Sequence, residues 1–362
     1  MSHQKGTIVV TGANGGLGCA IISQIASSSS LGAYHGIYTV RDARTVTELD
    51  TVLRASSATS TPFHSCEKIS LDLSRLDSVR EAAAVINMHV EPGTIPPINA
   101  IILNAGYEEF GKQTWTDDGL DTSFAVNYLG HWLLTLLLLR SLDRERGRIV
   151  WISSWAQKRV LRYHPPEDRH NVMNGSFKDS RYKKMIADDL EPLAKGTWSS
   201  NSEDETDWAA AYRRYGASKM CGVAMIHELQ KRLDRDPVLN NISVLAVDPG
   251  GMATGIVRQS PWFVRVIVFQ IFAGLLAHLW VRLFPNGTWR TPQKSARDVL
   301  AAAFDCGPPP LTERPKGLYL NGSELGEYSS EAKDPKKGQI IWEGSVRFAR
   351  LKENETILRE WQ

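Results

Sequence analysis

Cysteine is scarce in this chain. Cys19, Cys66, Cys221 and Cys306 are scattered over 362 residues, with no C-x-x-C spacing for a metal and too few for a disulfide framework. They fit a reduced, intracellular protein. The nine histidines contain no His-x-x-x-His pair or other cluster, so no metal site is expected. Charge of one sign is missing as well. Lys and Arg number 42 against 40 Asp and Glu, which excludes the basic footprint of a nucleic-acid binder. The start, "MSHQKGTIVVTG", has no secretory apolar segment and leads straight into a strand. The longest apolar stretch, Trp262 to Phe284, has only 16 residues without Lys, Arg, Asp or Glu between Arg265 and Arg282. That is short for a spanning helix. There is no internal repeat. The expected setting is cytoplasmic or peripheral to a membrane.

Strand and helix patterns alternate instead. "GTIVVTG", "GIYTV", "EKISLDL", "INAIILNAG", "GRIVWISS" and "ISVLAVDPG" read as strands, several of them near-continuous apolar runs. "LGCAIISQIASS", "LDSVREAAAVINM", "DGLDTSFAVNYLGHWLLTLLLLRSL" and the segment from "YGASKM" to "ELQKRL" read as helices, and a Ser/Thr-rich connection follows the second strand. This order predicts an α/β fold with a doubly wound parallel sheet in a single domain spanning 1–362.

The first strand-to-helix turn is "TGANGGLG", Thr11 to Gly18. Glycines 12, 16 and 18 permit a tight turn, a close backbone approach to a pyrophosphate and close helix packing. The helix N-terminus then offers amide N–H groups and the positive end of its dipole to phosphates. The spacing is Thr-Gly-x-x-x-Gly-x-Gly rather than Gly-x-Gly-x-x-Gly. Further on, "YGASKM" sets Tyr215 and Lys219 on one helical face with small residues between them. Alone, that pair is common enough by chance to mean an exposed helix contact.

Together these pieces resemble the classical short-chain dehydrogenases/reductases over Lys5 to about Ala303. The motifs stand in family order: "TGANGGLG", "LDL" at 71–73, "NAG" at 104–106, "NYLGH" from Asn127, "ISS" at 152–154, "YGASK" and "DPGGMAT" at 248–254. The narrower look is of retinol-dehydrogenase-like and long fungal members, the latter through C-terminal text such as "LYLNGSE" and "IIWEGSVRFARLKE".

The resemblance implies a catalytic set of Asn127, Ser154, Tyr215 and Lys219. Tyr215 is the acid/base. A free phenol ionises near 10, and an ammonium one helical turn away favours the phenolate. Lys219 is that cation and a ligand of the nicotinamide ribose. Ser154 orients the substrate carbonyl, with Ser153 the alternative by one residue. Asn127 holds a water that links Lys219 to solvent, the alternative being an ordinary buried asparagine. His131, four residues on, reads as a packed core histidine. Tyr212 has no cation four residues later and cannot act as the acid/base.

The implied cofactor site comprises Thr11, Gly12, Asn14, Gly15, Gly16, Leu17 and Gly18 at the phosphates, Asp72, Leu73, Asn104, Ala105 and Gly106 at the adenosine, and Pro249, Gly250 and Thr254 beside the nicotinamide. Arg41, directly after the second strand, with Arg44 as a second cation, favours NADP over NAD; Asp42 is the complication, since it could turn away or bond a ribose.

Two segments depart from the family. Ser154 and Tyr215 are 61 positions apart, a longer connection than most members have, making 155–214 an insert that contains the Ser/Asp/Glu-rich "SSNSEDETD". Ser199 to Asp207 is expected to be solvated. The apolar stretch lies within 255–290, the place of the substrate lid. It argues for a small lipophilic ketone, aldehyde or alcohol as substrate, and is compatible with resting on a membrane surface. Residues 330–362 form a C-terminal extension, and a homo-oligomer is compatible with the family. The expected activity is NADP-dependent hydride transfer between nicotinamide and a carbonyl. A non-catalytic NADP-binding scaffold or redox sensor is the alternative.

Overall fold

The computed structural model describes residues 4–57, 64–109, 112–157, 180–182, 184–200, 207–252 and 281–362. Eight strands form one sheet in the order β3-β2-β1-β4-β5-β6-β7-β8. They are β1 Thr7–Thr11, β2 His35–Val40, β3 Cys66–Ser70, β4 Ile98–Leu103, β5 Arg148–Ile152, β6 Ser243–Asp248, β7 Tyr319–Asn321 and β8 Glu324–Leu325. All neighbours pair in parallel except β7 and β8. The strand order reverses beside β1, between β1 and β4, and that switch point opens a crevice at the carboxyl ends of the strands.

The strands are apolar on both faces because helices cover both. Val9, Ile101, Ile149 and Trp151 point to one core; Ile8, Val10, Ala100, Ile102, Val150 and Ile152 point to the other. This is the period-two alternation of a strand with no wet side. The second core is closed by α1 (Gly16–Ser27), α2 (Thr47–Ser57) and α7 (Pro292–Phe304). The first is closed by α3 (Leu76–Val90), α4 (Thr122–Ser141) and α6 (Asp207–Arg235), with α5 (Glu191–Ala194) and α8 (Pro335–Ala349) outside them. Among the described residues α4 alone is long and apolar enough to cross a membrane, and 89% of its apolar window is buried inside the fold. It is a core helix.

Three expectations need correction. The Ser/Thr-rich connection after β2 contains α2, whose Leu49 is buried and whose Glu48 and Asp50 sit in the first turn, where the helix dipole favours anions. The long helix α4 is not uniform: Ala125–Leu129 is a π-turn between α-helical segments, and it carries Asn127. The insert, read as polar and without apolar periodicity, is folded where it is described. Met185, Ile186, Leu190 and Leu193 are buried in the core, and the Glu331 carboxylate accepts from the amides of Met185 and Ile186 at 3.0 and 3.1 Å. Ser199, expected in solvent, is buried: its hydroxyl accepts from Arg213 Nε at 2.7 Å. Residues 201–206 lie outside the described residues.

The C-terminal extension belongs to the same core. Trp342 packs edge-on against Trp132 at 5.3 Å, the Tyr128 and Ser345 hydroxyls are hydrogen-bonded at 2.7 Å, and Arg80 meets Glu355 at 2.5 Å.

Candidate active site

The crevice holds a cleft of about 820 Å³ that runs from the Gly12–Gly18 turn to Tyr215. At its first end the backbone does the work. Gly12 has φ +64°, and a Cβ there would fall 2.7 Å from Ala105 Cα; a Cβ on Gly18 would fall 2.4 Å from the Gly12 carbonyl oxygen. Only hydrogen fits at either place. The helix α1 starts at Gly16 with no side-chain cap and no acidic residue in its first turn, so its leading amides face the cleft unmasked.

Polar side chains behind this turn are spent on holding it. The Thr11 hydroxyl accepts from the amides of Asn104 at 2.9 Å and Ala105 at 3.0 Å, so its proton goes to His131 Nε2 at 2.9 Å. His131 is therefore neutral; burial and the Lys219 ammonium push its pKa down to about 3. It is a structural acceptor inside the fold. Asn104 Nδ2 donates to the carbonyls of Thr11 and Gly12, stapling β4 to β1. Asn14 accepts from the Leu49 amide at 2.8 Å and donates to Glu48, tying the turn to α2. Asp72 is occupied by Ser74 through its amide and hydroxyl. Leu17, Gly15, Gly16, Asp72, Leu73, Ala105, Gly106, Pro249 and Gly250 all line the cleft; Thr254 lies outside the described residues.

At the mouth beyond β2, Arg41 is exposed and lines the cleft. Asp42 also lines the cleft but is held by Arg44, which donates to it through Nε at 2.9 Å and Nη2 at 3.0 Å and keeps its carboxyl below the usual range. Arg44 is thus Asp42's partner rather than a second cation in the cleft.

At the other end Tyr215, Ser154 and Lys219 come together. The Ser154 hydroxyl lies close enough to the Tyr215 phenol to draw its pKa down against burial, which favours Ser154 over Ser153 as the residue facing the phenol. Lys219 Nζ donates to the Ile152 carbonyl at 3.0 Å and sits 5.7 Å from the centre of the Tyr215 ring. Asn127 is buried beneath them. It accepts from the Tyr107 amide at 2.7 Å, and donates to the Tyr107 carbonyl at 2.8 Å and the Ser218 hydroxyl at 3.2 Å. Its side chain clamps the strand-end loop, and the π-turn around it is what aims it there.

The electrostatics differ from the simple expectation of an ammonium acidifying the phenol. Burial drives the Tyr215 pKa up, and the Glu108 carboxylate adds to this. Burial also pulls Lys219 down to about 8, against the raising pull of Glu108 and Asp248. Burial thus works against both the phenolate and the ammonium. In this structure Tyr215 is a protonated phenol, a donor. Glu108, Trp208 and Tyr212 went unread in the sequence as cleft residues; the acidic pair one residue after "NAG", beyond the carboxyl end of β4, was the signal available.

A family model described as short chain dehydrogenase matches residues 6–163. The short-chain dehydrogenase iccH of Talaromyces variabilis is 46% identical over 99% of this chain and 100% of its own length. The chain belongs to the short-chain dehydrogenase/reductase family. As a member it is an oxidoreductase of CH–OH and C=O groups that uses NAD or NADP. Protochlorophyllide reductase of Daucus carota is 27% identical over 96% of this chain and 79% of that one. The NADPH-bound carbonyl reductase from chicken fatty liver shares the fold, with a TM-score of 0.52 at 17% identity, covering 89% of this chain and 98% of that structure. These comparisons establish the family, not its retinol-dehydrogenase branch.

Proposed function

We propose that this enzyme is an NADP-dependent carbonyl reductase acting on a lipophilic ketone or aldehyde. The observation that carries the reading is one cleft with an uncapped helix N-terminus at one end and Tyr215, Ser154 and Lys219 gathered at the other. The glycine contacts that exclude any Cβ, and the cleft's size, fit a dinucleotide. Gly16, Leu17 and Gly18 would hold its pyrophosphate, Arg41 its 2′-phosphate and Lys219 its nicotinamide ribose. When bound, the cofactor supplies the hydride. The preference for NADP rests on Asp42 being taken by Arg44 while Arg41 stays at the mouth. The lipophilic substrate rests on the aromatic lining, with Trp155, Trp208, Tyr212 and Trp289 around the catalytic end. The lid segment 262–280 lies outside the described residues.

For the chain's own residues the chemistry runs toward reduction. Ser154 aligns the carbonyl oxygen. Tyr215, kept protonated by burial, gives that oxygen its proton, and Lys219, largely an ammonium at neutral pH, lies beside the phenolate that forms. Asn127 keeps the loop at Tyr107 in register with Tyr215.

The test is NADPH oxidation with a panel of hydrophobic ketones and aldehydes, with NADH as control. Tyr215→Phe should lower kcat by about 10²- to 10⁴-fold with little change in NADPH affinity. A phenylalanine variant that keeps full turnover ends this mechanism. NADPH binding without consumption across the panel would favour a scaffold.

A further inference from the structure

Three consecutive residues behind the "NAG" turn have sharply different fates. Tyr107 is clamped at both its amide and its carbonyl by Asn127. Glu109 is buried and bound by Arg214 Nη2 at 2.6 Å, and the same guanidinium lies 3.3 Å from Asp121 through Nε. Glu108 stands between these two pinned neighbours. It lines the cleft beside Tyr212, Tyr215 and Lys219, and makes no hydrogen bond or ion pair with a described residue. A carboxyl that lines the catalytic cleft without a bond to a described side chain is available to whatever enters the cleft.

The surroundings say what could. The charged and titratable groups that face Glu108 are the Lys219 amine and the Tyr212 and Tyr215 phenols; Asp248, across the cleft, acts on the same lysine. Burial lifts the Glu108 pKa to about 7, so the site holds both its acid and its carboxylate near neutrality. Either form accepts a hydrogen bond. The wall next to it is flat: Trp208 and Tyr212 are stacked 5.4 Å apart at 14°. Glu108, this stacked pair and Tyr215 line the same cleft, and the Glu108 carboxylate acts on both phenols.

We propose that Glu108 is a substrate-specificity residue which accepts a hydrogen bond from a hydroxyl on the substrate, so that the preferred substrate is a planar, ring-bearing carbonyl compound carrying a hydroxyl away from the reacting carbonyl. This rests on the carbonyl-reductase reading, and it names the substrate class. Glu108 touches substrate but transfers no proton; that remains with Tyr215.

The experiment uses the full chain and a set of 1-tetralones bearing hydrogen, hydroxyl or methoxy at each ring position. Wild-type enzyme should favour at least one hydroxylated isomer over its methoxy counterpart by about 10- to 100-fold in kcat/KM, the range for a hydrogen bond to a charged group. Glu108→Leu should bring that ratio near one through KM, while Glu108→Gln, which keeps an accepting oxygen, should retain part of it. NADPH affinity and melting temperature check that both variants stay folded and loaded. The same ketones are titrated by quenching of tryptophan fluorescence, giving dissociation constants that need no turnover. A hydroxyl-to-methoxy ratio absent in wild type, or unchanged in Glu108→Leu by both readouts, overturns the inference. If wild type binds the ketones with the predicted Glu108-dependent ratio but consumes no NADPH, the reductase reading fails while this one stands.

Discussion

The two ends of the cleft are built from different materials. The end at Gly12 to Gly18 is backbone and small residues, and the polar side chains behind it, Thr11, Asn14 and Asn104, are committed to neutral hydrogen bonds that hold the turn. The end at Tyr215 is built from ionisable groups, the buried Lys219 and the part-buried Glu108, with the buried Arg214–Glu109–Asp121 cluster next to Tyr215 and Glu108 in the chain. A phosphate-binding turn needs shape and unmasked amides, which do not change with pH. A proton-transfer site needs groups whose charge is tuned, which demands burial and partners. The first kind of site is stiff and generic. The second is individual, and is where this member's own substrate preference is expressed.

The comparison is broken most severely at Arg214. Its side chain is 3% exposed, as is that of Glu109, with Asp121 at 2%. Arg214→Met leaves two buried carboxylates without their cation, and removing one partner of a buried pair costs about 3–5 kcal/mol. The urea midpoint should fall accordingly. Arg214→Met with Glu109→Gln should regain part of the loss, since the double change removes a stranded charge. Equal midpoints for wild type and the single variant would mean that the substrate end does not depend on buried charge.

Next in size is the cofactor end. Arg41→Ala should leave stability unchanged and lower the preference for NADPH over NADH by about 10- to 100-fold, the range for one charge-assisted contact. Arg44→Ala should act indirectly: it releases Asp42 at the mouth and also weakens NADPH, by a smaller factor. Dissociation constants for both dinucleotides decide it. If Arg41→Ala binds NADPH as wild type does, the 2′-phosphate is read elsewhere.

The stiff end was legible in the sequence because its requirements are local. Glycine spacing between a β-branched run and an apolar helix specifies a turn, and Gly12 and Gly18 meet the close contacts their positions call for. The sheet was legible through its apolar runs. The helix α2 was not, because its Ser and Thr residues hide the spacing of Val46, Leu49 and Leu53. Nor was the folded part of the insert, whose Met185, Ile186 and Leu190 become core only by packing near α8, some 150 residues later. At the catalytic end the tyrosine and lysine were legible as a pair, but their electrostatics were not. Burial acts on both more strongly than they act on each other, and burial by distant elements is not a property of a four-residue spacing.

The smallest effect isolates one group of the tuned end by pH. Glu108 is raised from an ordinary 4.5 to about 7. A folded state that holds a proton more tightly than the unfolded chain gains stability below the unfolded value, and loses that gain as pH climbs through the folded one. Its window is therefore pH 4.5 to 7. Lys219, lowered from 10.5 to about 8, works in the opposite sense: its contribution is present above 10.5 and is lost as pH falls through 8. The two windows do not overlap. His131, lowered from 6.5 to about 3, contributes above 6.5 and loses its contribution toward 3, equally in either protein. Glu108→Gln carries no proton to lose. Its melting temperature should gain on wild type by roughly a few degrees between pH 4.5 and 7, then hold level to pH 8. Parallel melting curves across that window would show that Glu108 is solvated as an ordinary surface acid, and the contrast between the two ends of the cleft would then rest on Arg214 and Lys219 alone.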